Sequence, residues 1–180
     1  SEEICVERKD FTKLRVCLVG ELSARKGIDA VPLLIHALKE RSVGIVLNIY
    51  GEGPLKELVC MIDGGCGVEI NFHGYVNDHS KIYKSNNLLL SLSFNEAFGR
   101  TVTEGLANGL VPILRNSGAF PELIKSEYSG YLFDSVDELA DLLKMLDGNK
   151  ETLNTISENG RKLYVEKYSM KAFKNNYLIA

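Results

Sequence analysis

Glu96 and Glu104 are separated by seven residues in the segment from Ser93 to Pro112. A glutamate can accept two hydrogen bonds from a vicinal diol, the arrangement that a ribose or a hexose presents. Gly99 lies between the two carboxylates and leaves room for close approach of a ligand. A helix pattern starts near Thr101, and a helix start offers free amides and a positive dipole end to an anion. Glu104 falls one turn into that helix, so the segment can offer a sugar contact, an anion site and a ribose contact in order. As a bare pair the two glutamates read as surface charges. The glycine, the helix start and the preceding apolar run favour the chemical reading.

Three other loops carry candidate groups. Gly20-Glu-Leu-Ser-Ala-Arg-Lys-Gly27 places the adjacent cations Arg25 and Lys26 between two glycines, just before a helix pattern. Such a loop can neutralise phosphate, although taken alone it reads rather as an ordinary solvated turn. Gly51-Glu-Gly-Pro-Leu-Lys56 begins like a dinucleotide fingerprint, but Lys56 stands where the third glycine belongs. Phe72-His-Gly-Tyr-Val76 puts Gly74 after a strand pattern, where a flat ring can lie against backbone; His73 reads as a packed or solvent-edge histidine.

These loops need elements to position them. Continuous apolar runs predict strands at Leu14–Val19, Ile45–Tyr50, Val68–Phe72, Leu88–Leu92, Val111–Leu114 and Tyr131–Phe133. Runs without alternation suit strands buried on both faces of a parallel sheet. Between them, Val31, Leu34, Ile35 and Leu38 follow helical spacing, with Pro32 in the first turn where proline is tolerated. Further helices are predicted at Leu55–Met61, around Ile82 and Tyr83, at Thr101–Asn108 ended by Gly109, and at Pro121–Lys125. Ser135 and Glu138 form a capping-box pattern ahead of another, and two more run from about Lys150 to Tyr168 and from Met170 onward. Repeated strand–helix units predict an α/β fold, a Rossmann-like doubly wound parallel sheet of about six strands with helices on both faces. Ligands bind such sheets at the carboxyl ends of the strands, where all four loops fall.

The bulk properties exclude some classes. With 180 residues the chain suffices for one domain: residues 1–13 read as a lead-in or linker segment and 14–180 as the folded unit. A net charge of -3 and a pI of about 5.7 argue against a generic nucleic-acid partner. No apolar run is long enough to span a bilayer, and the charged start lacks a signal peptide, so a cytoplasmic protein is expected, peripheral to a membrane at most. Cys5, Cys17, Cys60 and Cys66 have no metal-binding or disulfide spacing and read as reduced, partly buried thiols. The histidines form no zinc spacing either. The chain opens on Ser1, as a piece of a longer protein would, although processing or a tag remnant would look the same.

Glu96 and Glu104 together resemble the E-x7-E motif of the family-4 retaining glycosyltransferases. The resemblance extends to Phe98-Gly99, Glu104-Gly-Leu-Ala-Asn-Gly109, Val19-Gly20, Lys26-Gly27, Tyr50-Gly51-Glu-Gly53-Pro54, Phe72-His-Gly74, Gly118 with Glu122, Gly130-Tyr-Leu-Phe133 and Glu166-Lys-Tyr-Ser169. It implies the C-terminal, donor-binding half of a two-domain GT-B fold. It implies that Glu104 holds ribose hydroxyls and that Glu96 contacts the donor sugar at the reacting centre. Lys26 would bind diphosphate, backbone at Gly99, Arg100 and Thr101 would help hold phosphate and sugar, and Gly74, Tyr75 and Val76 would face the base. Gly20 and Arg25 belong to the same donor loop.

The implied donor is a UDP-sugar or GDP-sugar, with no metal or other cofactor. The acceptor, a saccharide or a lipid-linked group, would be held through an N-terminal domain absent from this chain. Glu21 departs from the pattern, since many relatives carry an arginine there; Arg25 is the cation placed to compensate. A nucleotide-sugar epimerase, a phosphorylase-like enzyme or a non-catalytic binding module on the same scaffold remains the alternative.

Overall fold

The computed structural model describes residues 8–177. Cys5 and the first seven residues of the expected lead-in lie outside that range. Six strands form one sheet: β1 (Leu14–Val19), β2 (Ile45–Tyr50), β3 (Val68–Gly74), β4 (Leu88–Ser91), β5 (Val111–Arg115) and β6 (Tyr131–Phe133). Their order is β3-β2-β1-β4-β5-β6, and every pairing is parallel. In register, Val16 of β1 pairs with Leu47 of β2 on one side and Leu88 of β4 on the other. This is the doubly wound arrangement predicted from the apolar runs.

The helices are α1 (Val31–Glu40), α2 (Lys56–Cys60), α3 (His79–Ser85), α4 (Arg100–Ala107), α5 (Phe120–Leu123), α6 (Val136–Leu146), α7 (Lys150–Leu163) and α8 (Met170–Tyr177). A π-helical turn, Tyr164–Tyr168, joins the last two. The sheet separates two apolar cores. On one face Val16, Leu18, Leu47, Ile49 and Ile113 pack with Leu34, Ile35 and Leu38 of α1 and Leu139 and Leu143 of α6. On the other, Cys17, Leu89 and Leu114 pack with Ile82 and Tyr83 of α3, Val102 and Leu106 of α4, and Phe120 of α5. Burial on both faces accounts for strands such as β2, in which all six residues are buried. The outer strand β3 is largely part-exposed, consistent with its place at the edge.

Several local expectations are refined. Gly109, at φ 72°, ends α4 as predicted. The hydroxyl of Ser135 accepts from the amide of Glu138, but the Glu138 carboxylate accepts from the amide of Asp134, one residue earlier than a capping box requires. Cys17 is buried, and burial pushes its thiol up to about 12; Cys60 and Cys66 are free and exposed. His73 lies at the exposed edge, stacked on Tyr50 with ring centroids 4.4 Å apart and bonded to Asn48 at 3.0 Å. Among the described residues no helix is long and apolar enough to cross a membrane.

Candidate functional site

The strand order reverses between β1 and β4, and at such a switch point the loops diverge to opposite faces and open a crevice. The loop after β1 and the loop after β4 stand on either side of it, and an ion pair joins them. Lys26 Nζ lies 2.6 Å from Glu96 Oε2, with the two side chains 25% and 22% exposed. Two candidates seventy positions apart are thus direct partners.

Backbone contacts hold Glu96 in place. Gly118, in the loop after β5, has φ 57°, and a Cβ there would approach the Glu96 backbone N and O to 2.8 Å. The amide of Ala119 donates to the Glu96 carbonyl at 2.9 Å, and the hydroxyl of Ser117 donates to the Ser93 carbonyl at 3.0 Å. Glycine alone therefore permits this clasp, both in backbone angle and in space.

Glu104 has different company. Its Oε2 accepts from the Tyr83 hydroxyl at 2.7 Å and stands 3.2 Å from His79 Nδ1. Its Oε1 lies 3.4 Å from Nε of the exposed Arg100. Burial works to raise the Glu104 carboxyl. Hydrogen bonds from Tyr83 and His79 outweigh it, and the group sits below its ordinary value. Tyr83 is pushed well above the usual phenol range, first by burial and then by its bond to Glu104.

Two adjoining cavities open here. The larger, about 450 Å³, lies among Tyr50, Gly51, Tyr75, Val76, His79 and Ile82. The smaller, about 120 Å³, reaches Lys26 and Glu96. Val19, Gly20, Glu21, Arg100 and Thr101 line both. The N-terminus of α4 therefore faces the junction, and Gly99 caps it without a side-chain hydrogen bond, leaving the first amides unclaimed by a cap.

Of the sequence candidates, Gly20, Lys26, Tyr75, Val76, Glu96, Arg100 and Thr101 form cavity wall. Gly74 adjoins Tyr75 and accepts from the amide of Gly51 at 2.8 Å. Glu104 lines neither of these two cavities; its partners His79 and Arg100 line the larger one. At Gly99, with φ 58°, the space a side chain would take is filled by Leu123 Cδ1. Arg25 stands off the cavity wall and pairs with Glu21 at 3.4 Å, an exposed contact of small energetic weight. His79 and Tyr83 were not among the candidates. Their i, i+4 spacing on one helix face was the available signal, but it does not say what they meet.

The model of the family described as "Glycosyl transferases group 1" matches residues 2–163. The sulfoquinovosyl transferase of Arabidopsis thaliana is 24% identical over 159 residues, covering 86% of this chain and 30% of that protein. The chain spans less than half the length of the curated relatives it matches. Among solved structures, Anabaena HepE in complex with UDP-glucose superposes with a TM-score of 0.78 at 22% identity, covering 91% of this chain and 47% of that one. The C-terminal domain of the group 1 protein LpcC from Francisella tularensis gives 0.71 at 25% identity, covering 88% of this chain and 87% of that domain. The described fold is thus that of a C-terminal-type GT-B domain.

Proposed function

From the premise that the chain belongs to the group 1 glycosyl transferases, we propose that it is the donor-binding half of a retaining glycosyltransferase. The donor would be a nucleoside-diphosphate sugar, UDP- or GDP-linked, and the acceptor a saccharide or a lipid-linked group presented by a second, N-terminal domain. The observation that carries this reading is the succession along the two cavities: a roomy chamber at Tyr75, Val76 and His79, a helix N-terminus at Arg100 and Thr101, then the narrow cleft at Lys26 and Glu96. Nucleoside, diphosphate and sugar follow one another in the same order. HepE, of like fold, holds UDP-glucose, which supports a donor of this class.

In this reading the base lies against Gly74, Tyr75 and Val76, and the ribose diol bonds to Glu104. The diphosphate meets the amides of α4 next to Gly99, backbone near Gly20, and Lys26. When the anomeric carbon–oxygen bond breaks, negative charge gathers on the departing diphosphate. The α4 amides are already oriented towards that charge, and Lys26 stands beside them as the cation that joins them, so no metal is called for. Lys26 must first exchange Glu96 for the diphosphate, which frees the Glu96 carboxylate for the sugar hydroxyls. Arg25 can join once it leaves Glu21. Such a protein works in the cytoplasm, at a membrane surface when its acceptor is a lipid.

Calorimetric titration of the chain with UDP, GDP and their sugars tests the proposal. At least one should bind, and Glu104→Ala should weaken it about tenfold or more, the worth of a charge-assisted hydrogen bond. No binding of any of them at millimolar concentration overturns the reading.

A further inference from the structure

Helix α3 carries a device that the transfer chemistry does not require but that donor recognition can use. The side chain of Asp78 caps the helix, accepting from the amide of Ser80 at 3.1 Å and its hydroxyl at 2.6 Å. That fixes His79 as the first helical residue and Tyr83 one turn later, on the same face. Tyr83 is buried in the core shared with Val102 and Leu106 of α4, so its ring has little freedom. Its hydroxyl and the ring nitrogen of His79 converge on one oxygen of Glu104, and the two rings meet edge to face at 6.2 Å.

We infer that Tyr83 and His79 are positioning residues for the sugar hydroxyls of the nucleotide, holding the Glu104 carboxylate at the angle that selects a ribonucleotide over a 2′-deoxyribonucleotide. This rests on the proposed ribose role of Glu104. Two observations and one chemical argument support it. The donors take Oε2 and leave Oε1 to an exposed arginine at 3.4 Å, a contact that water or a ligand can replace. The Tyr83 phenol orients the carboxylate without cancelling its charge, as a buried lysine would, so Glu104 keeps its strength as an acceptor. His79 also lines the larger cavity, which places the clamp beside the nucleoside chamber. With Oε2 taken by both donors, Oε1 is the oxygen held in place to accept from a ribose hydroxyl.

The test compares UDP with 2′-deoxyuridine diphosphate, and GDP with its 2′-deoxy form, by NMR titration of the whole chain. Wild type should prefer the ribo form about tenfold, one charge-assisted hydrogen bond. Tyr83→Phe and His79→Leu should each bring that preference to about twofold or less, with affinity for the deoxy form little changed. His79→Asn, which retains an N–H donor, should restore it. Because His79 lies at the cavity rim, its variants keep the test usable if Tyr83→Phe fails to fold. Variants that remain folded and keep the full ribo preference overturn the inference while leaving the ribose reading intact. A wild type that binds nucleotide without preferring the ribo form overturns the ribose reading itself, before any variant is made.

Discussion

Glu96 and Glu104 are separated by seven residues on one strand–loop–helix unit, yet they occupy opposite kinds of surroundings. Glu96 lies on a loop clasped through its backbone by Gly118 and Ala119, and its carboxylate is cancelled by the charge of Lys26. Glu104 lies on a helix, and Tyr83 and His79 orient its carboxylate from a neighbouring helix. A carboxylate held by a lysine changes partner when an anion competes for that lysine. A carboxylate held by a buried phenol and a ring nitrogen is ready beforehand. The first arrangement suits a group used during reaction, the second a group used to bind.

The largest expected effect separates the two roles. In the full-length protein, Glu96→Gln should lower transfer about a hundredfold or more, the scale of losing a preorganised polar contact at a reacting centre. The same change should leave nucleotide affinity equal or tighter, because Lys26 no longer has a competing carboxylate. Turnover measured by nucleotide release, set beside calorimetry, checks this; a parallel loss of affinity would merge the roles of Glu96 and Glu104.

A smaller effect probes the clasp. Gly118→Ala places a methyl group against the Glu96 backbone at a positive φ, and should cost about 1–3 kcal/mol of stability. For a chain of this size that is roughly 2–12 °C in thermal midpoint, with a loss of transfer beyond what stability explains. Gly118→Ala with an unchanged midpoint and full transfer would mean that the loop yields freely and the clasp positions nothing.

The smallest effect is a pH dependence at Glu104. Its carboxyl is held below the ordinary 4.5, so its bonds to Tyr83 and His79 add stability that is fully present above that value. The contribution fades as pH falls through the lower folded-state value. Thermal midpoints of wild type and Tyr83→Phe should therefore differ above pH 4.5 and converge in stronger acid. A gap that stays constant across that range would assign the Tyr83 hydroxyl to packing alone.

Much of this molecule was legible along the chain. Continuous apolar runs gave away all six strands, because a strand covered on both faces has no polar side to display. Strand ends and helix starts placed the loops, and the order of glycines, cations and glutamates within them carried the likeness to group 1 glycosyl transferases. Other features had no linear signal. Nothing near Lys26 names Glu96 as its partner, and nothing near His79 and Tyr83 names Glu104, which follows 25 and 21 residues later. Gly99 was legible as a necessary glycine, but its reason is Leu123 and a left-handed backbone.

By itself, then, the sequence determined the alternation of strands and helices, the doubly wound class, and which residues stand at the carboxyl end of the sheet. Those follow from local periodicity and from loop chemistry, which neighbours in the chain decide. Only the tertiary structure decided who pairs with whom. The reversal of strand order between β1 and β4 brings Lys26 to Glu96, and the packing of α3 against α4 brings Tyr83 to Glu104. Such pairings depend on crossovers that carry the chain between strands distant in sequence, and no residue's immediate neighbours encode that distance.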